Sequence, residues 1–531
     1  MRRRLFACVA ATALLAVAAC TGPKTDNTGA GANASINVYL YQEPAGLFGP
    51  LAASSGPDNQ VMSFINEGLL GVDPDYKLQP RLAESFEVSS DARTFTFKLR
   101  KGVKWSDGTP FTSKDVLFTY NALANTKAKA ATAGSYAAVE GVKEFNAGTA
   151  QTITGFSAPD DSTFVIRSAA PNYGLVALIG IAHIMPEHVL GKIAPENLAA
   201  DAFFRKPTVT IGPYTFVEYK TNQYVHVTAN ANYRTAPKIK DVYLKPMKSD
   251  AATAQLGNGQ IDIASYSPTD IATVSGFGDV TTQEKPGAGF VRIALNQSKD
   301  YFKDARVRQA FLYATDRKQI VQTVLSGKGE VRLSNFAKAN EPPGLNEYAK
   351  DVNKAKQLLQ EAGWDPNRVV KLQWVQGQRD RDATATIVQS ELAAVGVKVE
   401  LVNIQAAQIQ KTYQDKSYDM VLYGGGNYAI DSSAINVITA CAQQFPAGGN
   451  INFFCNPQLD DLMTRANASN DESERKDLYG QAAKLENEQA DLFWLYSPNG
   501  LWGVNKRIQG FKAAGSQDAG FWDPASWSVS K

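Results

Sequence analysis

The residues with the clearest chemical potential stand in YDMVLYGGGNYAIDSS, residues 418–433. There an apolar run meets Gly424, Gly425 and Gly426, followed by Asn427, Tyr428 and Asp431. Glycines at a strand end let another group come close to the backbone. Tyr423 and Tyr428 add flat faces on which a ring-bearing solute could stack. The same residues also suit a tight turn flanked by core tyrosines, and Asp431 before SSAINVI suits a helix N-cap. Groups that make or break bonds have no comparable pattern: the chain has no G-x-S-x-G, no H-E-x-x-H, no Walker-type phosphate loop and no strand-linked G-x-G-x-x-G. His183, His188 and His226 are scattered. HIMPEHVL spaces its two histidines five apart across a proline, the pattern of a turn before a helix start rather than of two ligands on one helical face. No catalytic residue, metal or cofactor is expected.

The elements that must position these residues belong to a large secreted chain. At 531 residues it exceeds the ~250 to 300 at which single cores stop growing, so at least two lobes are expected. Apolar residues at 44% and charged residues at 20% are ordinary for globular domains and remove disordered, collagen-like and coiled-coil classes. MRRRLFACVAATALLAVAAC combines arginines, an apolar run and small residues, which is a secretion signal. Its ending resembles the bacterial lipobox, in which cleavage at residue 19 leaves a lipidated Cys20. TGPKTDNTGAGANAS then reads as a flexible tether. No other stretch approaches the ~18 apolar residues of a membrane span. The expected location is the outer face of the cell membrane, or the periplasmic face in a Gram-negative cell. Removing residues 1–19 deletes Arg2, Arg3 and Arg4 and no acid, taking the formal charge from +2 to −1 and leaving no electrostatic case for nucleic acid. Cys8 leaves with the signal and Cys20 carries the lipid, so Cys441 and Cys455 most simply pair in an oxidising compartment.

Local patterns alternate between strand and helix. Phe95, Phe97 and Leu99 alternate with Thr94, Thr96 and Lys98, the period of a half-buried strand. Asp107, Gly108 and Pro110 turn the chain, and Thr112 with Asp115 forms a capping box that starts a helix near Ser113. Val307, Ala310, Phe311 and Ala314 fall at helical core spacing, which assigns Arg306, Arg308, Asp316 and Arg317 to a solvated or scaffold-pairing face. A stripe from Val352 to Ala362 stops at Gly363, and VKVELVNI follows Gly396 as a strand. This alternation argues for α/β lobes.

LAESFEVSSDARTFTFKLRKGVKWSDGTPFTSKDVLFTY resembles the signature region of bacterial extracellular solute-binding proteins of family 5, the oligopeptide- and dipeptide-binding type. IGPYTFVEY, FVRIALNQSKDYFKDARVRQAFLYATDRKQIV, AKQLLQEAGW, NPQLDDLMTRA and RIQGF follow in family order, so the resemblance covers residues 36–531. It implies a two-lobed α/β clamshell of the periplasmic-binding-protein kind, class II type, with an extra subdomain inserted in the N-terminal lobe. Lobe I would take residues 36–67, 183–286 and 496–531, the inserted subdomain 68–182 and lobe II 287–495, after a signal at 1–19 and a tether at 20–35. It also implies a monomeric, non-enzymatic lipoprotein that captures a peptide and presents it to the permease subunits of an ABC importer. In peptide-binding relatives a W-x-x-D pattern follows the glycine-run strand and its Asp holds the peptide ammonium; here Gly425 and Tyr428 occupy those positions and Asp431 lies three residues on. A non-peptide solute such as an oligosaccharide or metal chelate, or a sensing role, is the alternative. Tyr41, Gln42 and Glu43 in YLYQEPAGL and Trp494 in FWLY match cleft-facing segments, which gives Tyr41, Gln42, Glu43, Tyr423, Gly425, Asn427, Tyr428, Asp431 and Trp494 as the expected ligand contacts.

Overall fold

The computed structural model describes residues 34–530 except 52–55, 288, 337–339, 376–378, 406–407, 426–430 and 517–518. The secretion signal, Cys20, Gly426, Asn427 and Tyr428 therefore lie outside the described residues. Three sheets organise the chain. A seven-stranded sheet runs in the order Val280–Lys285, Gly500–Asn505, Ile263–Ser265, Ser35–Leu40, Asp241–Pro246, Tyr224–Ala229 and Tyr214–Lys220. A six-stranded sheet runs Gly329–Val331, Phe493–Pro498, Phe290–Leu295, Met420–Gly425, Val369–Val375 and Lys398–Ile404. Ala83–Val88, Thr94–Leu99, Thr163–Arg167 and Phe156–Asp160 form a four-stranded sheet with a core of its own around Phe95, Phe97, Tyr120 and Phe164. The result is a two-lobed α/β clamshell with an inserted third unit.

The chain passes between the two large sheets twice. Residues 286–289 lead from Val280–Lys285 to Phe290–Leu295, and Asn499 leads back from Phe493–Pro498 to Gly500–Asn505. The crossings are tied to each other: Ser497 Oγ donates to the Gly287 carbonyl at 2.9 Å. Glu284 accepts from Lys328 Nζ and Asn499 Nδ2, both at 2.7 Å, which together hold its carboxyl below the ordinary range.

Local expectations are met where short-range chemistry decides. Thr94–Leu99 buries Phe95, Phe97 and Leu99. Thr112 and Asp115 form the reciprocal capping box of the helix Ser113–Ala124, and Val352–Glu361 ends before Gly363 at φ +67°. Arg308 and Arg317 differ from the solvated alternative: both are buried and belong to the scaffold. Arg308 donates to the carbonyls of Phe302, Lys303, Gln489 and Ala490, and Arg317 to those of Arg332, Trp494 and Glu347. A guanidinium presents five donors, enough to satisfy several orphan carbonyls between helices without a carboxylate.

Cys441 and Cys455 are disulfide-bonded across a sequence separation of 14. Asn450 fastens the same loop by donating from Nδ2 to Thr439, Ala440 and Phe454 carbonyls at 3.2, 3.2 and 2.9 Å. Reduction is expected to lower stability by ~3 kcal/mol through the freed loop entropy. Melting curves with and without reductant read this directly, and coincident curves would mean that Asn450 suffices.

Candidate functional site

Strand direction decides which residues face the opposite lobe. Phe493–Pro498 runs toward the crossing, Phe290–Leu295 is antiparallel to it, and Met420–Gly425 is antiparallel to Phe290–Leu295. Gly424 and Gly425 therefore end on the crossing side. In the other sheet, Gly500–Asn505 leaves the crossing antiparallel to Ile263–Ser265, which lies parallel to Ser35–Leu40. The carboxyl end of Ser35–Leu40, and with it Tyr41, Gln42 and Glu43, also points to the crossing side. Ligands of open α/β sheets bind beyond carboxyl strand ends, and the two ends oppose each other here.

The first two glycines are strand residues, not a turn. Gly425 pairs with Phe290 and Gly424 with Val291. A Cβ on Gly424 would sit 2.7 Å from Arg381 Nη2 and 2.8 Å from the Phe290 carbonyl, so glycine is what admits Arg381 beside the strand. Among the described residues nothing lies within 4 Å of the corresponding position at Gly425. Arg381 comes from the first turn of the helix Arg379–Ala393, which follows the carboxyl end of Val369–Val375.

Behind the glycines lies a caged cation. Arg292 is 0% exposed, and none of its guanidinium nitrogens has a hydrogen-bond partner among the described residues. Its Cζ lies 4.6 Å from the Phe290 ring centroid, 4.8 Å from Tyr423 and 4.8 Å from Trp494. Tyr423 is half-buried, whereas Trp494 is buried and packs edge-on to Phe290 at 5.3 Å. Two acids share this interior. Burial pushes both the Glu486 and Asp491 carboxyls above their usual range; Arg292 opposes the shift at both, joined by Arg332 at Glu486 and by Arg308 at Asp491. Acids that hold protons more tightly when folded stabilise most below the ordinary carboxylate value of about 4 and lose that contribution as pH rises through the raised values. Urea midpoints of an Asp491→Asn variant should change less than the parent's from about pH 5 to about pH 8. Equal slopes would remove this account.

The remaining expected contacts are held by their own neighbours. Glu43 accepts from Tyr219 Oη at 2.5 Å and from the Asn222 N–H at 2.8 Å. Buried Asp58 accepts from the Ala45, Gly46 and Leu47 N–H groups at 3.0, 3.0 and 3.3 Å and so fixes the loop after Tyr41, Gln42 and Glu43. Tyr41 packs against the Tyr39 and Leu256 cluster, and Gln42 is exposed. Asp431 caps the short helix Ser432–Ile435, accepting from the Ser433 N–H at 2.8 Å. His188 and His226 bond Asp107 and Asp241 at 3.0 and 2.9 Å. Among the described residues no group of three or more His, Cys, Asp or Glu side chains could hold a metal ion, and no helix is long and apolar enough to cross a membrane. Sequence reasoning missed Arg292 and Arg381. The signal for the first was present: an arginine inside FVRIAL, an otherwise apolar strand run, needs an explanation.

Two lobes crossed twice by the chain, with carboxyl strand ends opposed across the gap, define a solute-binding clamshell. Residues 77–446 match the family model described as the middle part of bacterial extracellular solute-binding proteins, family 5, and the chain belongs to that family. That family is one of solute-binding proteins rather than enzymes, and it is extracellular. The oligopeptide-binding protein AppA of Bacillus subtilis is 28% identical, with 96% of this chain and 97% of that protein covered. The structure of AppA from Bacillus subtilis in complex with a nonapeptide superposes with a TM-score of 0.80 at 25% identity, covering 94% of this chain and 99% of that one. The structure of NikZ from Campylobacter jejuni in complex with Ni(L-His) has the same fold, with a TM-score of 0.80, 23% identity and coverage of 94% and 99%.

Proposed function

We propose that the protein is the solute-capturing component of an ABC importer, that its solute is an oligopeptide or dipeptide, and that it works by reversible binding without chemistry. The opposed carboxyl strand ends at Tyr41 to Glu43 and at Gly424 and Gly425 carry this reading, because contacts made to both lobes at once favour closure around a solute. Resemblance to a Bacillus subtilis protein named for oligopeptide binding supports the solute class. Tyr41, Gln42, Glu43, Tyr423, Gly425, Asn427, Tyr428, Asp431 and Trp494 are the proposed lining, with Arg381 added beside Gly424. The mature chain would begin at Cys20, act as a monomer on a lipid anchor, and divide into lobes I and II and an inserted subdomain at the boundaries expected from its sequence.

A non-peptide solute is the second reading. It is favoured by the glycine at position 425, where the W-x-x-D pattern would place a Trp, and by a Campylobacter jejuni neighbour named with Ni(L-His). Native mass spectrometry of the mature chain carrying Cys20→Ser, followed by identification of the molecule released on denaturation, separates the two. A ladder of peptide masses supports the first reading. A single saccharide, chelate or other non-peptide mass overturns it in favour of the second.

A further inference from the structure

The inserted unit touches the helical layer of the six-stranded lobe beside Asp431. The Tyr173 N–H donates to the Asn467 carbonyl at 2.7 Å. Arg475 lays its guanidinium over the Tyr173 ring, Cζ to centroid 3.7 Å. Asn470 Nδ2 donates to the Ser90 carbonyl at 2.8 Å. Gly174 closes in to the point where a Cβ would lie 1.7 Å from Ser433 Oγ and 3.0 Å from Asp431 Oδ1. Ser90 sits in the turn between Ala83–Val88 and Thr94–Leu99, and Tyr173 and Gly174 precede the helix Leu175–Ile179.

Each side is fixed before the two meet. On the lobe side Asp431 caps Ser433, and Tyr479 Oη lies 3.5 Å from Asp431 Oδ1 and 3.0 Å from Asn467 Oδ1. Asp471 caps the helix Glu472–Gln489, which carries Arg475, through the Ser473 and Glu474 N–H groups. On the inserted side the Ser168 N–H donates to the Arg93 carbonyl and the Asn172 N–H to the Ala92 carbonyl, both at the same turn. Among the described residues what crosses is small: two hydrogen bonds to main-chain carbonyls, one cation over a ring, and a glycine that permits the approach. Each such contact is weak on its own, which suits an interaction that opens repeatedly. The covalent crossings are elsewhere, at 286–289 and Asn499, so this contact can break while the hinge stays intact.

We propose that Tyr173, Gly174 and Ser90 on one side and Arg475, Asn470 and Ser433 on the other form a latch that biases the two lobes toward closure, whichever solute lies between them. Asp431 then serves the closed state by holding Ser433 in place. The test measures distance and needs no solute. Spin labels at Glu144→Cys and Lys484→Cys, both exposed positions on opposite sides, are read by pulsed electron resonance in the Cys20→Ser mature chain after denaturation and refolding to strip bound solute. The latched parent should show a dominant short-distance population. Arg475→Ala should increase the long-distance population several-fold, and Arg475→Lys, which keeps a cation over the ring, should recover part of the change. Gly174→Val, whose side chain collides with Ser433, should give the long distance alone. Distributions of Arg475→Ala and Gly174→Val that coincide with the parent's would overturn the latch. Because the readout is solute-free, failure of the peptide reading in mass spectrometry leaves this outcome unaffected.

Discussion

Replacing Arg292 with alanine is expected to destabilise the protein by ~3 to 5 kcal/mol, the cost of leaving buried opposite charge uncompensated. The guanidinium is fully buried and surrounded by the rings of Phe290, Tyr423 and Trp494. It also supplies the positive potential that opposes the upward shift of the Glu486 and Asp491 carboxyls. Alanine removes the cation from three aromatic faces, empties the space between them and leaves Glu486 balanced by Arg332 alone and Asp491 by Arg308 alone. Lysine keeps the charge but not the flat, weakly hydrated group that stacks on rings, so Arg292→Lys should fall between parent and alanine. Adding Asp491→Asn to Arg292→Ala should recover part of the loss. Urea unfolding of the parent, Arg292→Ala, Asp491→Asn and the double variant forms a double-mutant cycle; a loss under ~1 kcal/mol for Arg292→Ala would show that neither the caged contacts nor the charge is needed.

Asp262→Ala is the second large effect, again ~3 to 5 kcal/mol, because a buried carboxylate is removed from a charged partner and a backbone donor together. Asp262 is 0% exposed. It accepts from Arg507 Nε at 2.7 Å and Nη2 at 2.8 Å, and from the Asn37 N–H at 2.8 Å. One side chain thus joins Ser35–Leu40, the start of Ile263–Ser265 and the turn after Gly500–Asn505. Arg507→Met should cost at least as much, since it leaves the fully buried Asp262 carboxylate with one backbone partner and no guanidinium, whereas Asp262→Ala leaves an Arg507 side chain that is 23% exposed to water. Trp502 and Trp527 lie in the same core and report the unfolding by fluorescence. A loss for Arg507→Met well below that for Asp262→Ala would mean that the backbone link, and not the ion pair, carries the effect.

What could be read from the sequence is what neighbouring residues decide among themselves. The alternation at Phe95, Phe97 and Leu99, the Thr112 and Asp115 cap and the stop before Gly363 all rest on contacts within a few residues. The pairing of Cys441 with Cys455 followed from compartment and count. The glycine run was legible as a place where the backbone must be bare, but not why. Arg381 stands 43 positions earlier and meets Gly424 only because Val369–Val375 lies parallel to Met420–Gly425 in the sheet. Arg308 and Arg317 were legible only as a solvated or scaffold-pairing face; the scaffold alternative holds, through carbonyls of residues 332, 347, 489, 490 and 494 that no local pattern reveals. Asp431 had two readings from sequence, and its capping bond is now plain, while Tyr173 and Gly174, far upstream, gave no hint of approaching it.

The order of strands in the seven-stranded sheet also sets the order in which the molecule can be made. Ser35–Leu40 lies near the middle of that sheet, and Gly500–Asn505 is inserted between Val280–Lys285 and Ile263–Ser265. A nascent chain crossing a membrane therefore exports one of the first partners of this sheet long before one of the last. The four-stranded unit and the six-stranded sheet's helical partners can settle in the meantime, whereas the seven-stranded sheet keeps a gap until Gly500–Asn505 arrives. Pairings of such sequence separation are slow to form and expose strand edges while they wait. A chain clipped before Gly500 would therefore keep an unfilled slot between Val280–Lys285 and Ile263–Ser265.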